Sequence, residues 1–357
     1  MKLHIVGGFL GSGKTTAILT AARRLIARGL KVGIITNDQG RYLVDTAFFR
    51  LTDLPAVEVT GGCFCCNYDD LDSRLDELIA QAHPDVIFAE SVGSCADIVA
   101  TVIQPLLTLR VGQEPPASFT VFTDSRLLRL RLLDEPLPFS DDVVYIFDKQ
   151  IEEAGLLVIN KIDLLTADRL TELKALVSRR YPQKAILFQN SLVENGADDW
   201  LQFLNTEALL LPAAPLQMDY QRYGAGEARM AWLDEAILLQ APSGAADIRR
   251  VIESLTAAIQ VRGAGIGHLK FWIQSEKNAI KLSIPTLEEP GWQRALVALP
   301  AGPVRLLTNA RLEMDAAELH RMVEDVLNAS GLSWQAGSVE FFHPAQPRPT
   351  HRLTDGA

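Results

Sequence analysis

Gly8-Phe9-Leu10-Gly11-Ser12-Gly13-Lys14-Thr15, with Thr16 behind it, is the stretch that decides the fold of this 357-residue chain. It has the form Gly, four residues, Gly-Lys-Thr. It stands between an apolar run that reads as a strand (Leu3 to Val6) and a helix-forming run (Ala17 to Ala27). Strand, glycine-rich turn and helix in that order make a phosphate cradle. The glycines let the backbone close round an anion, the N–H groups and positive end of the following helix face it, and Lys14 adds a charge. Thr15 brings a hydroxyl suited to Mg²⁺. Gly8, Gly11, Ser12, Gly13, Lys14, Thr15 and Thr16 are therefore the expected phosphate contacts. A glycine-rich turn that binds nothing would have no need of Lys14 and Thr15 in register.

Outward from this loop the chain alternates strand and helix at short spacing. The expected strands are Lys31 to Thr36, Val57 to Thr60, Pro84 to Ala89, Ser118 to Thr123, Leu156 to Ile159 and Ala185 to Phe188, with helices at Leu71 to Ala82 and Asp198 to Leu204. Such alternation predicts an α/β fold with a mainly parallel sheet, the phosphate-loop NTPase architecture, whose polar loops meet at the C-terminal strand ends. Around 209–218 the pattern breaks at Leu-Pro-Ala-Ala-Pro. The expected organisation is a nucleotide domain over 1–212, a linker over 213–227 and a smaller α+β domain over 228–357. That second domain reads as strands at Ala228 to Gln240, His268 to Gln274, Ala279 to Ile284, Val304 to Glu313 and Ser338 to Phe342. With helices at Ala245 to Val261 and Ala316 to Asn328, it suggests a ferredoxin-like arrangement, ending in an extended Pro-rich tail that carries His351.

Composition narrows the partners. A net charge of −10, from 34 Lys and Arg against 44 Asp and Glu, argues against nucleic acid or an anionic membrane as a whole-protein partner. The absence of a membrane-span or signal-peptide pattern reads as cytoplasmic. Three of the four cysteines fall within four residues, which in a reducing compartment points to metal or redox chemistry before crosslinking.

Asn160-Lys161-Ile162-Asp163 has the Asn-Lys-x-Asp form that reads guanine. A carboxylate at Asp163 accepts from the two N–H groups guanine shows and adenine lacks, so GTP is the expected nucleotide. Glu90, at the end of an apolar strand, sits where a nucleotide-binding protein holds Mg²⁺, and Gly93 can bring its N–H to the γ-phosphate. Asp38 and Asp45 fall where a first switch loop would lie, and Lys14, Glu90 and Asp38 are the expected catalytic set. Cys63-Phe64-Cys65-Cys66, behind Gly61-Gly62, can present at least two sulfurs to one ion, with Zn²⁺ favoured over Co²⁺, Ni²⁺ or Cu⁺. A redox pair or an inert cluster is the alternative reading. Cys95 is a further candidate ligand or a buried apolar thiol. His343 and His351 are weak candidates for a metal or a partner. The Trp residues read as core, and Arg126 to Arg131 as a solvated helix face.

Taken in order, Gly8 to Thr16, Gly61 to Cys66, Glu90 to Gly93 and Asn160 to Asp163 resemble the CobW-like metallochaperone GTPases, over about residues 2–205. The resemblance implies hydrolysis of GTP to GDP and phosphate, a transition metal on Cys63, Cys65 and Cys66, and Mg²⁺ on Thr15 and Glu90. It also implies a client metalloprotein that receives the metal when hydrolysis releases it. The alternative is a GTPase gate that activates a corrinoid or other metalloenzyme without delivering metal. A monomer or a nucleotide- or metal-dependent dimer is expected. Three features depart from the family pattern: Asp38 and Arg41 stand at the first switch, no histidine-rich loop is present, and the second domain is unusual.

Overall fold

The computed structural model describes residues 1–37, 39–40, 44, 55–59, 62–110, 116–205, 211–212, 214–276, 278–285, 292–296 and 299–354. The chain divides into two compact units. The first comprises Met1–Gln39, Thr52–Gly226 and Pro347–Ala357, and the second Gly40–Leu51 and Glu227–Gln346.

The first unit begins with β1 (Lys2–Gly8), α1 (Lys14–Ala27), β2 (Val32–Asn37), β3 (Ala56–Val59), α2 (Tyr68–Ala82) and β4 (Val86–Glu90). A π-helical turn (Val99–Ile103) then runs into α3 (Gln104–Leu109), followed by β5 (Pro116–Asp124), α4 (Ser125–Leu132) and α5 (Asp141–Glu153). After these come β6 (Leu156–Asn160), α6 (Ala167–Arg180), β7 (Ala185–Phe188), α7 (Asp198–Leu204) and α8 (Tyr220–Arg229). Among the described residues the strands form a seven-stranded sheet in the order β3-β2-β4-β1-β5-β6-β7. All neighbours are parallel. Parallel strands are covered on both faces, which is why β1, β2, β4 and β6 are continuous apolar runs. Trp200 on α7 is fully buried, with its ring 5.4 Å from Phe88 and 5.0 Å from Phe122. Its indole N–H donates to Thr120 Oγ1 at 3.2 Å, so the one polar atom of a large core residue is satisfied.

The second unit holds β8 (Met230–Ala241), α9 (Ala245–Arg262), β9 (Gly265–Gln274), β10 (Ala279–Pro285), β11 (Gly302–Glu313), α10 (Ala316–Ala329) and β12 (Trp334–Phe342). The five strands pair antiparallel in the order β10-β9-β11-β8-β12. Without β10 the remaining order is that of the split β-α-β unit, so the ferredoxin-like expectation describes the unit with one extra edge strand. Ile248, Ile252, Leu255 and Ile259 of α9 and Leu319, Val323 and Leu327 of α10 pack with the sheet's apolar face in one core.

Several elements differ from the sequence reading. The expected linker contains α8 from Tyr220, and the tail from Pro347 groups with the first unit. β12 starts at Trp334, before Ser338, and Trp292 and Trp334 are half-buried where core positions were expected. The arginines of α4 are engaged: Arg126 pairs with Asp124, Arg129 with Glu172 and Arg131 with Asp148. Their partners lie up to 43 residues away, beyond the reach of a local helix-face reading.

Candidate functional site

The phosphate-loop stretch folds as a cradle. Gly8, Gly11 and Gly13 have φ of 129°, 71° and 90°, and a side chain at Gly8 would meet the Phe122 carbonyl oxygen at 2.1 Å. Gly13 is also the N-cap of α1, and no side chain caps that helix, so its first N–H groups remain for an anion. Lys14 is buried and donates to the carbonyls of Gly8 (2.6 Å) and Phe9 (3.3 Å), which hold the ammonium over the loop. The Ser12 hydroxyl is buried with no partner among the described residues. A cradle with an orphaned hydroxyl and a positioned cation fits a nucleotide's phosphates. Thr15 Oγ1 donates to Glu90 Oε1 at 2.8 Å, which puts the hydroxyl and carboxylate suited to Mg²⁺ side by side. Thr16 follows on α1, half-buried.

At the end of β6 the roles of the four residues separate. Asn160 spends its amide on the scaffold, donating to Ser12 O (2.9 Å) and accepting from Ser191 Oγ (2.9 Å) and Ser191 N (3.2 Å). It is the joint that ties the phosphate loop to the loop after β7. Lys161 adopts φ 62°, ψ 36°, a left-handed conformation rare outside glycine. Its carbonyl accepts from Ser125 Oγ at 2.9 Å and its ammonium lies 3.5 Å from Asp124. The Asp163 carboxylate is exposed at the rim. Ser191, Asp124 and Ser125 were not singled out from sequence. Asp124, at the C-terminal end of β5, was the one signal that could have found its pair with Lys161. Arg126 and Lys161 outweigh its burial and hold its carboxyl below the usual range.

The thiols sit between β3 and α2. A tight turn, with Cys66 N and Asn67 N donating to Cys63 O at 3.0 and 2.9 Å, delivers them at the N-terminus of α2. Asn37 at the end of β2 fixes the turn. Its Nδ2 donates to Val59 O (3.1 Å) and Gly62 O (2.7 Å), and its Oδ1 accepts from Phe64 N (2.9 Å). The sulfur separations are 2.8 Å for Cys63–Cys65, 3.3 Å for Cys63–Cys66 and 3.7 Å for Cys65–Cys66. With Zn–S bonds of about 2.3 Å, the sulfurs of a tetrahedral zinc site are roughly 3.8 Å apart, so the cluster has to open, by about 1 Å at Cys63–Cys65, to accept the ion. All three sulfurs lie within 4.8 Å of one another. Hydrogen bonds from the Cys65, Cys66 and Cys95 thiols outweigh burial and hold Cys63 well below the ordinary thiol value. Its own bonds to Cys63, Cys66 and Cys95, with burial, keep Cys65 well above it, and chiefly the bond to Cys63 pushes Cys66 up to about 11. The neighbours thus favour the deprotonated form of Cys63, the form in which a thiol binds metal.

Two further parts lie outside those motifs. Gln150 of α5 donates from one Nε2 to both Gly93 O (3.0 Å) and Cys95 O (2.8 Å), clamping the loop after β4. The tail lies across the thiol turn: Thr350 N donates to Cys65 O at 2.8 Å and Thr350 Oγ1 to Cys66 O at 3.0 Å. Arg352 then pairs with Asp97 at 2.8 Å, and the ring of His351 meets Tyr68 edge-on at 5.1 Å. His343, the other tail candidate, accepts from Ala316 N at 3.1 Å and so caps α10. Asp38, Asp45, Arg41 and Gly61 lie outside the described residues.

A family model described as the CobW/HypB/UreG nucleotide-binding domain matches residues 2–188, more than half of the chain. The chain belongs to the CobW/HypB/UreG family. Among similar curated proteins, the "Zinc chaperone CobW" of Sinorhizobium sp is 27% identical over 205 residues, 52% of this chain and 57% of that protein. The "Zinc chaperone YeiR" of Escherichia coli is 30% identical over 177 residues, 47% of this chain and 48% of that protein. "Zinc-regulated GTPase metalloprotein activator 1" of Dictyostelium discoideum is 24% identical, covering 52% of this chain and 45% of that protein. The chain thus spans about half the length of these three curated relatives. No helix among the described residues is long and apolar enough to cross a membrane.

Proposed function

We propose that this protein is a GTP-hydrolysing metallochaperone that takes up a transition metal, Zn²⁺ foremost, on Cys63, Cys65 and Cys66. It surrenders the metal to a client metalloprotein as GTP is spent. The observation that carries this reading is the cluster of three thiols anchored by Asn37, with all sulfurs within 4.8 Å of one another, at the same C-terminal edge of the parallel sheet as the phosphate cradle. The relatives' names, two zinc chaperones and a zinc-regulated GTPase, favour the same metal.

In this reading the backbone N–H groups from Gly11 to Thr16 and the Lys14 ammonium bind the β- and γ-phosphates, exchanging the two carbonyl contacts of Lys14 for phosphate oxygens. Thr15 and Glu90 would hold Mg²⁺, which neutralises charge developing on the phosphates. Asp163 accepts the guanine N–H groups while Asn160 keeps the two loops in register. Gly93 meets the γ-phosphate through its N–H, and Asp38 lies on the first switch loop. Loss of the γ-phosphate relaxes Gly93, and the thiol site weakens with it.

Titration of Zn²⁺ into the protein loaded with a non-hydrolysable GTP analogue, and separately with GDP, tests the coupling. Tighter binding in the GTP state is expected. Equal affinities would sink the reading, since a ligand that binds two states equally shifts neither.

A further inference from the structure

We propose that the strap formed by residues 348–354 is a hinged cover over the thiol turn, latched by Arg352 on Asp97, and that it lifts to let metal in or out. The inference rests on the metal reading of the three-cysteine turn and adds a gate to it. The strap crosses the turn at the cysteines themselves. Thr350 N donates to Cys65 O at 2.8 Å and Thr350 Oγ1 to Cys66 O at 3.0 Å. Cys63 and Cys65 are only 4% and 1% exposed, while Cys66 is half-buried, so an ion reaches the sulfurs by way of Cys66, to whose carbonyl the strap is fastened. Further along, Leu353 N donates to Ala100 O at 2.9 Å. That carbonyl is orphaned by its own sequence. Its partner in the π-helical turn would be residue 105, five positions on, but Pro105 has no N–H, and Gln104 N is already taken by Val99 O.

Between these bonds sits the latch. Asp97 is fully buried and has φ of 63°, a left-handed conformation that a non-glycine residue keeps only where its surroundings fix it. Its Oδ2 accepts from Arg352 Nε at 2.8 Å and from the Tyr220 hydroxyl at 2.7 Å, and a second Arg352 nitrogen donates to Leu216 O at 3.2 Å. A buried carboxylate that loses its cation is costly, so the closed strap is the favoured state. Yet the strap has no apolar anchor. Pro347 is its last buried residue, and every side chain from Arg348 to Thr354 is exposed or half-buried. A segment held by water-accessible hydrogen bonds and one ion pair opens locally at low cost, whereas Pro347 and Pro349 fix two of its φ angles and favour movement as a piece. The strap's bonds run to carbonyls and a carboxylate, with one Arg348 N–H to Cys66 Sγ, a sulfur that still accepts such a bond when it holds metal. A cover bound alike over the empty and the loaded turn leaves the affinity alone and sets the rate of exchange.

In the full chain loaded with zinc, transfer to a saturating chromophoric chelator reads the opening rate. Arg352→Ala and Leu353→Pro are expected to speed zinc release and uptake by about tenfold or more, with affinity by chelator competition within about twofold of the original. Leu353→Pro removes the bond to Ala100 O and leaves Arg352 on Asp97, so it carries the test alone where the stranded Asp97 of Arg352→Ala unsettles the fold. Arg352→Lys keeps a cation at Asp97 and should restore most of the slow exchange. Hydrogen exchange at the Thr350 amide reports the lifting itself. Faster amide exchange with unchanged zinc rates would overturn the proposal, as would an amide that stays protected in both variants. A loss of affinity equal to the gain in release rate would make the strap part of the binding site and overturn it as a cover. Cys65→Ala separates the two layers. If it binds zinc like the unaltered protein, the metal reading of the turn fails; if it loses zinc while the strap variants exchange zinc at the original rate, only this inference fails.

Discussion

Polar side chains serve opposite ends in the two units. At the strand ends of the first unit, they keep capacity in reserve: Lys14 rests on two carbonyls, Thr15 leans on Glu90, and Ser12 Oγ has no partner among the described residues. Inside the second unit, they consume one another. Arg311, fully buried on β11, donates to Asp234 of β8 at 2.7 Å, and its guanidinium lies 3.8 Å from the Trp232 ring centre. Asn309 bridges Asp234 to the Val44 N–H, at 2.8 and 2.7 Å. A site that awaits a ligand leaves groups exchangeable. A structural knot pairs its charges with each other, because an unpaired buried charge costs far more than the pair gains.

The comparison can be broken most forcefully at the knot. Arg311→Ala strands the Asp234 carboxylate and should cost about 3–5 kcal/mol in urea unfolding. Replacing both partners with apolar residues (Arg311→Met, Asp234→Leu) should cost much less; equal losses would show that packing, not charge, dominates there. At the cradle the effect belongs to binding. Lys14→Ala is expected to lower GTP turnover about a hundredfold or more, with urea unfolding of the protein within about 1 kcal/mol of the original. A large stability loss with modest kinetic change would mean that Lys14 is a structural group after all.

Glu153 sharpens the contrast from within the first unit, since it is buried, structural and titratable. Burial pushes its carboxyl up to about 8 despite backbone N–H donors, including Val99 N at 2.5 Å. The folded state therefore holds a proton that the unfolded chain releases near its ordinary value of 4.5. The contribution to stability is complete below that value, drains as pH rises towards 8, and is spent above it. Glu153→Gln should flatten the decline of melting temperature across this window, where the single group removes up to about 1.4 kcal/mol per pH unit. An identical decline in the variant would clear Glu153 of the effect. The smallest expected change is at the tail. Thr350→Pro removes the N–H and hydroxyl that engage Cys65 O and Cys66 O, costing about 1–2 kcal/mol at most, and should speed alkylation of Cys66. Unchanged alkylation would mean that the tail does not shield the thiol turn.

The same contrast explains what the sequence could show. Ligand chemistry dictates spacing, so Gly8 to Thr15, Cys63 to Cys66 and Asn160 to Asp163 are legible as strings, and the alternation of apolar runs gives the parallel sheet. Asn37 and Gln150 hold those strings in place through side-chain bonds to carbonyls 22 to 57 residues away, and no local pattern marks such a bond. The Asp234–Asn309–Arg311 knot depends on the register that sets Asn309 opposite Asp234 and Arg311 opposite Trp232 across β8 and β11, which only pairing reveals. α8 was hidden by the Pro- and Ala-containing stretch before it, whose turn signals outweighed the weaker helical pattern that follows.

The tail's membership in the first unit also bears on how the protein is made. The nucleotide unit is discontinuous: its last part, from Pro347, is synthesised only after all of the second unit. As chains fold largely from the N-terminus while they are made, the thiol turn spends the whole of that interval without Thr350 across it. A nascent chain therefore passes through a stage in which its cysteines are more open than they will be again, and metal or an oxidant meeting it then would find the site before its cover.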